Sequence, residues 1–180
     1  MLVECFTTIG SIMPSSKKHQ SVAGIIFKDN EVLLIQRRDI PVWVLPGGGV
    51  EPEESLAQAT IREVLEETGY HVKILRKVAE FHPKNRLTKL THLYECVILS
   101  GSPHLGDETL DIQFFPITAL PKLMPPPYHE WIHDASLRLK KPLIKYTHSA
   151  SYLVLIEKIL KHPILVIKYF LRKWKKELLS

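Results

Sequence analysis

The stretch 47–70 constrains this chain most, because a glycine-rich turn runs directly into an acidic helix start. Glu53, Glu54 and Ser55 place negative charge and a capping oxygen where a helix has free amides and the positive end of its dipole. Gly69 stands at the C-terminal cap, where a left-handed residue is easiest to place. The pattern therefore predicts a helix that starts near Ser55 and ends at Gly69.

The predicted helix carries an acidic sector. At about 100° per residue, Glu63, Glu66 and Glu67 fall on one side. Mg²⁺ prefers carboxylate oxygens and often bridges to phosphate, and Arg62 can hold Glu66 by a charged hydrogen bond. The residues alone are compatible with either a solvated acidic face or a metal site. Roughly opposite lies an apolar stripe formed by Ala57, Ile61, Val64, Leu65 and Thr68.

The spacing of this stretch resembles the box of the Nudix hydrolase (MutT-like) family. All seven fixed positions of that box match, and Val64 and Tyr70 fill its two aliphatic positions, Tyr70 loosely. The segment from Trp43 also resembles the one that usually precedes the box. The matched fixed positions are Gly48, Glu54, Arg62, Glu63, Glu66, Glu67 and Gly69.

The resemblance implies Mg²⁺-dependent hydrolysis of a nucleoside diphosphate linked to another moiety, with Mn²⁺ as a substitute cation. By position, Glu63, Glu66 and Glu67 are then metal ligands, with the carbonyl of Gly47. Arg62 would orient one of the box glutamates. The amides of the glycine loop, at Gly48 and Gly49, would bind the substrate phosphates.

The general base stays open among Glu66, Glu63 and Glu108. Glu108 is a candidate because residues 107–116 resemble the acidic loop and strand that follow the box in many Nudix enzymes; the residues alone equally fit an exposed turn acid. Arg37 is a candidate phosphate contact, although Arg37 and Arg38 are also typical of plain surface charge.

The order of elements predicts an α/β fold, which in this family is a mixed sheet between helices. Strands are expected at residues 21–27, 31–37, 71–81 and 90–99. A short helix is expected at 117–123, ended by three prolines, and a closing helix is expected around residues 129–133.

The chain divides into an N-terminal arm (1–19), a Nudix domain (20–140) and a basic helical tail (141–180). The tail holds nine Lys or Arg against two Glu, so residues 1–140 carry a net charge of −2. Helices are expected at 152–160 and 164–179. Their apolar faces favour packing on the domain or in a homodimer, over peripheral membrane contact through 149–179; nucleic-acid binding is the least favoured partner.

Two other classes of protein are compatible with parts of the sequence. His129-Glu130-x-x-His133 matches the zinc metallopeptidase pattern, but the further Gly and His of the extended motif do not follow. A Nudix domain that binds nucleotides without hydrolysis is a second alternative. Two cysteines, Cys5 and Cys96, are too few for a disulfide framework and indicate a reducing, cytoplasmic compartment.

The substrate is only weakly indicated. ADP-ribose hydrolases of this family often carry a proline about fifteen residues past the box, and here Pro83 lies thirteen residues after Tyr70. ADP-ribose or a nucleotide sugar is therefore favoured over a damaged nucleoside triphosphate.

Overall fold

The computed structural model describes residues 20–84 and 89–147. These residues form a mixed sheet with one helix on each face, so the expected α/β fold is confirmed. The predicted arm at 1–19 and the predicted helices at 152–160 and 164–179 lie outside the described residues. The elements are β1 (Gln20–Lys28), β2 (Glu31–Arg37), β3 (Trp43–Val44), β4 (Gly47–Gly49), α1 (Leu56–Thr68), β5 (Tyr70–Pro83), β6 (Leu90–Gly101), β7 (Thr109–Pro116), α2 (Pro126–Ser136) and β8 (Leu143–Thr147).

Strand β1 is the centre of the sheet. Along one edge it pairs in parallel with β6; along the other it pairs antiparallel with β4 at its start and with β2 at its end. The sheet continues from β6 to β5 and β8, and β2 also pairs with β3 and β7. The short β4 therefore brings the three glycines against the middle of the sheet.

Successive side chains of β1 point to opposite faces, and each face has its own helix. Val22 packs with Ala59 of α1, and Ile26 with Val64 of α1. Ala23 and Ile25 join the cluster on the other face, which contains the α2 side chains Trp131, Ile132 and Ala135. Helix α1 is thus held on the face opposite α2.

Both ends of α1 follow the prediction. The Ser55 side chain accepts a hydrogen bond from the Gln58 amide, and the Gln58 side chain accepts one from the Ser55 amide in return, which is a capping box. Gly69 adopts a left-handed conformation with φ of 75°, and its amide donates to the Leu65 carbonyl.

The buried face of α1 differs from the expected stripe. Ala57 is exposed and Ile61 is 38% exposed, so the stripe drawn through them is wrong at these positions. Val64 lies over Gly24, where a Cβ would meet the valine side chain, and this contact sets the rotation of the helix. The residues that are buried on α1 are Ala59, Thr60, Val64, Glu67 and Thr68.

The structure between β7 and α2 differs from the expected short helix at residues 117–123. Residues 117–123 form turns rather than a short helix, and α2 instead begins within the proline run, at Pro126. A proline at the first helical position has the right φ and lacks an amide that would be unpaired there anyway. The helix expected around residues 129–133 is confirmed as α2.

The sheet extends beyond residue 140. Leu143–Thr147 pairs in parallel with Ala79–Pro83 of β5, so the segment predicted as a helical tail from residue 141 begins with a strand. Lys145 of β8 donates to both carboxylate oxygens of the buried Asp134 on α2, at 2.7 Å each. Within the described part of the chain, no helix is long and apolar enough to cross a membrane.

Candidate active site

The three acidic residues of α1 have different environments, although the sequence placed them in one sector. Glu67 is buried, with 9% of its surface exposed, and belongs to the face that packs on the sheet. The side chain of Glu63 is 14% exposed, whereas that of Glu66 is 57% exposed. The acidic sector therefore runs from the sheet out to solvent.

Glu67 reaches from α1 to the glycine loop. Its Oε2 accepts a hydrogen bond from the Gly47 amide at 2.7 Å. Burial raises the pKa of this carboxyl to about 8; the Gly47 amide opposes the shift, and the charge of Glu63 adds to it. Glu67 is thus a carboxylate whose charge lacks full compensation in the protein alone.

The glycines leave room for this arrangement. A Cβ on Gly47 would lie 2.7 Å from the Ala23 Cα, because β4 is pressed against β1. A Cβ on Gly48 would lie 2.6 Å from the Glu63 Cδ, so the Glu63 carboxylate rests directly on this glycine. The stretch that was expected to be a turn is therefore a short strand. The Glu67 carboxylate lies against Gly47 of this strand, and the Glu63 carboxylate lies against Gly48.

Arg62 ties the acidic residues to the loop. Its guanidinium donates to Glu54 at 2.6 and 3.0 Å, to Glu63 at 3.0 Å and to Glu66 at 3.2 Å. It also donates to the Gly49 carbonyl at 3.1 Å. The predicted link from Arg62 to Glu66 is present, but Glu54 is the larger cause of the raised pKa of Arg62.

Arg37 lies at the end of β2. Its Nε and Nη2 donate to the two carboxylate oxygens of Asp39, at 2.8 and 2.6 Å. The hydrogen bond to Asp39 is the main cause of the raised pKa of Arg37, and the charge of Glu108 contributes. Two of five guanidinium N–H groups are used by Asp39, and the side chain is 37% exposed, so donors remain for a phosphate.

Glu108 stands in the turn before β7, beside the last turn of α1. Thr109 is fully buried, and its Oγ1 donates to the Glu67 carbonyl at 2.9 Å. The charge of Glu108 contributes to the raised pKa of Glu67, although burial is the main cause. The structure therefore brings the predicted Glu108 to the same edge as the residues of α1.

The buried glutamates of α1 are the candidate donors for a metal ion. In residues 20–84 and 89–147, no three His, Cys, Asp or Glu side chains stand ready to hold a metal ion. Burial raises the pKa of both Glu63 and Glu67, however, and the hydrogen bond from Arg62 only partly offsets this at Glu63. A hard cation relieves such a penalty, so the donor chemistry fits Mg²⁺ or Mn²⁺.

The zinc pattern on α2 finds other partners. The His133 side chain is 71% exposed, and its Nδ1 lies 3.8 Å from Asp134 Oδ1. Glu130 Oε1 lies 3.9 Å from Lys145 Nζ. These contacts give the His129-Glu130-x-x-His133 pattern no support as a metal centre.

Sequence reasoning missed three contributors. Glu54 was assigned only to the start of the helix, and its eight-residue distance from Arg62 was the signal for their contact. Asp39 could have been noticed as an acid two residues after Arg37. Arg38 donates to backbone carbonyls of residues 107–109, and no sequence pattern predicts this contact.

Comparison with known proteins places this geometry in a family. The NUDIX domain model matches residues 17–135. The chain is 33% identical over 111 residues to the "Putative 8-oxo-dGTP diphosphatase" of Bacillus subtilis, covering 61% of this chain and 74% of that protein. It is 34% identical over 115 residues to the ADP-ribose pyrophosphatase of Methanocaldococcus jannaschii, covering 58% and 67%.

Among solved structures, an ADP-ribose pyrophosphatase from Streptococcus suis has a TM-score of 0.59 and 25% identity. The similarity covers 72% of this chain and 99% of that one. The chain therefore belongs to the Nudix family and has the Nudix fold. It is a hydrolase that acts on pyrophosphate bonds.

Proposed function

We propose that this chain hydrolyses the pyrophosphate bond of a nucleoside diphosphate linked to another moiety, with Mg²⁺ as the cation and Mn²⁺ as a substitute. One observation carries the proposal: the buried Glu67 carboxylate meets the Gly47 amide, beside the Glu63 carboxylate that rests on Gly48. Two desolvated carboxylates of α1 that lie against the adjacent residues Gly47 and Gly48 are stabilised best by a cation that also attracts phosphate.

The residues that would hold the cation are Glu63, Glu66, Glu67 and the carbonyl of Gly47. When bound, Mg²⁺ neutralises charge on phosphoryl oxygens and lowers the pKa of water. Arg62 keeps Glu63 and Glu66 together on the same side of α1. Arg37 would bind a phosphate with its remaining donors, and the glycine stretch at Gly48 and Gly49 would line the phosphate site with its backbone.

The proton of the attacking water would pass to Glu66, Glu63 or Glu108. Of the two candidates on α1, the Glu66 side chain is more exposed than that of Glu63, so a water molecule can reach it. Glu108 lies on the turn before β7, beside the last turn of α1. Replacing each of the three with glutamine distinguishes the base from the metal ligands. Loss of the base lowers kcat without weakening Mg²⁺ binding, whereas loss of a ligand lowers kcat and also weakens Mg²⁺ binding.

An ADP-ribose-like or nucleotide-sugar substrate is favoured. Support comes from the similarity to the M. jannaschii ADP-ribose pyrophosphatase and from Pro83, which ends β5. The similarity to the B. subtilis protein supports an oxidised nucleoside triphosphate as the second candidate. The products differ, since ADP-ribose yields AMP and ribose 5-phosphate, whereas a triphosphate yields either a nucleoside monophosphate and pyrophosphate or a nucleoside diphosphate and phosphate.

The test is product release from a panel of nucleoside diphosphate derivatives and triphosphates with Mg²⁺. Wild type is compared with Glu67→Gln, and with Glu53→Gln as a matched control on the exposed side of the helix start. Turnover of one substrate that is lost only in Glu67→Gln supports the proposal. Nucleotide binding without any turnover would instead favour a non-catalytic Nudix domain.

A further inference from the structure

Arg38, which follows β2, contacts the turn that carries Glu108. Arg38 donates from its backbone amide to the Glu108 carbonyl at 2.8 Å. Its Nε donates to the Asp107 carbonyl at 3.0 Å, and its Nη2 to the Thr109 carbonyl at 2.7 Å. One residue thus binds three successive carbonyls, those immediately before, at and after Glu108.

The same turn is fixed to α1 on its other side. The Thr109 hydroxyl donates to the Glu67 carbonyl, and the His104 amide donates to the Thr68 carbonyl at 2.9 Å. Gly106 packs so closely on the helix that an added Cβ would lie 3.5 Å from the Glu67 Cα and would overlap the Glu66 carbonyl. The turn therefore bridges from the end of β2 to the part of α1 that bears Glu66 and Glu67.

Arg37 and Arg38 are neighbours with different tasks. The Arg37 guanidinium faces a carboxylate, Asp39, whereas the Arg38 guanidinium is directed at the backbone of the Glu108 turn. Two donors of a planar fork aimed at carbonyls two residues apart fix direction as well as distance, which a lysine ammonium cannot reproduce. Pairing of β2 with β7 remains without this fork, so the fold does not depend on it alone.

We propose that Arg38 is a positioning residue, which holds the Glu108 carboxylate beside the carboxylates of α1 and thereby sets the rate of hydrolysis. The inference rests on the proposed function for its kinetic part. It goes beyond that proposal by giving Arg38 an indirect role in the reaction, through its contacts with the backbone that carries Glu108. Its loss should therefore lower kcat and leave KM nearly unchanged.

The kinetic test is a double-mutant cycle on the substrate that the panel identifies. Arg38→Ala is expected to lower kcat about tenfold, Arg38→Lys to rescue little of it, and Arg38→Ala in a Glu108→Gln background to cause no further loss. Multiplicative losses would show that Arg38 acts independently of Glu108. Full activity in Arg38→Lys, or a change confined to KM, would show a charge contact with substrate instead; each result overturns the proposal.

Hydrogen–deuterium exchange gives a readout without turnover. Residues 104–109 should exchange faster in Arg38→Ala than in wild type, with β1 and β6 unchanged; unchanged exchange at 104–109 overturns the positioning role. Arg38→Met, which removes the guanidinium donors but keeps much of the side-chain bulk, serves as the second variant if Arg38→Ala does not fold, and the same kcat loss and the same non-additivity with Glu108→Gln are expected. If the wild-type protein shows no turnover, the proposed function and the predicted effect of Arg38 on kcat are both wrong. Hydrogen–deuterium exchange then still tests whether Arg38 holds residues 107–109 in place.

Discussion

The carboxylate of Glu67 and the amide of Gly47 are joined by a 2.7 Å hydrogen bond that links α1 to β4. A single amide is a modest partner for a buried carboxylate, because burial still raises its pKa to about 8. The carboxyl group is therefore positioned by the fold, while its charged form is left without full compensation by the protein. This combination makes Glu67 the most informative residue to change.

Replacing Glu67 with glutamine should lower turnover by at least about 100-fold, because a neutral amide removes a charged ligand worth several kcal/mol. The fold should persist, since the glutamine oxygen can still accept from the Gly47 amide. Steady-state kinetics and circular dichroism measure the two effects. Glu53→Gln should match wild type in both; a folded Glu67→Gln protein with wild-type turnover would remove Glu67 from the site.

Stability of the metal-free protein should fall as the pH rises from about 5 to 8. The ordinary pKa of a glutamate is 4.5, and that of folded Glu67 is about 8, so between these values the folded state holds a proton that the unfolded state has lost. The contribution of this bound proton to the free energy of unfolding is fully present below pH 4.5 and is lost as the pH rises through about 8. The size is on the order of a few kcal/mol.

Thermal melts in chelator test this prediction, with Glu67→Gln as the control that flattens the dependence. Mg²⁺ should raise Tm more at pH 8 than at pH 5.5, because the cation binds the charged carboxylate and competes with the proton. Equal Tm values at both pH values in the metal-free wild type would show that Glu67 keeps an ordinary pKa.

The sequence predicted the caps of α1 well and its rotation poorly. Caps depend on local chemistry, so Ser55 and Gly69 can be recognised without knowing the partner surface. Which side faces the sheet depends on the packing of Val64 over Gly24, a contact between elements. Glu67 was for that reason expected in one sector with Glu63 and Glu66, opposite the apolar stripe, whereas it lies on the buried side.

The remaining differences have the same origin. The turns at 117–123 and the start of α2 at Pro126 depend on how the chain passes the sheet edge, which no periodicity encodes. The contacts of Arg38 with residues 107–109 join positions about seventy residues apart. Long-range hydrogen bonds of this kind leave no pattern in a single sequence.

Replacing Arg62 with lysine should weaken apparent Mg²⁺ affinity about 10–100-fold, as expected when a residue that orients ligands is lost. Lysine keeps the charge but cannot hold Glu54, Glu63 and Glu66 with one planar group. Mg²⁺ titration of turnover is the measurement. Arg76→Lys is the matched control, because Arg76 forms a similar fork with Glu95 and with the Ala135 and Leu139 carbonyls, between β5, β6 and the end of α2.

The control should lose thermal stability while its Mg²⁺ dependence stays as in wild type. If both lysine variants shift the Mg²⁺ titration alike, the effect of Arg62 is a general loss of order rather than the alignment of ligands. If neither shifts it, the contacts of Arg62 with the acids of α1 have no bearing on the cation.

Adding one methyl group at Gly48 should separate the placement of Glu63 from the stability of the fold. The new Cβ of Gly48→Ala would overlap the Glu63 carboxylate, whose tip can swing away at little energetic cost. Tm should therefore change little, while kcat/KM and apparent Mg²⁺ affinity fall about 10–100-fold. Gly49→Ala is the adjacent comparison, because its Cβ meets nothing within 4 Å and its amide is retained. A much smaller loss is expected there, and equal losses in the two variants would mean that loop flexibility, rather than the position of Glu63, controls the reaction.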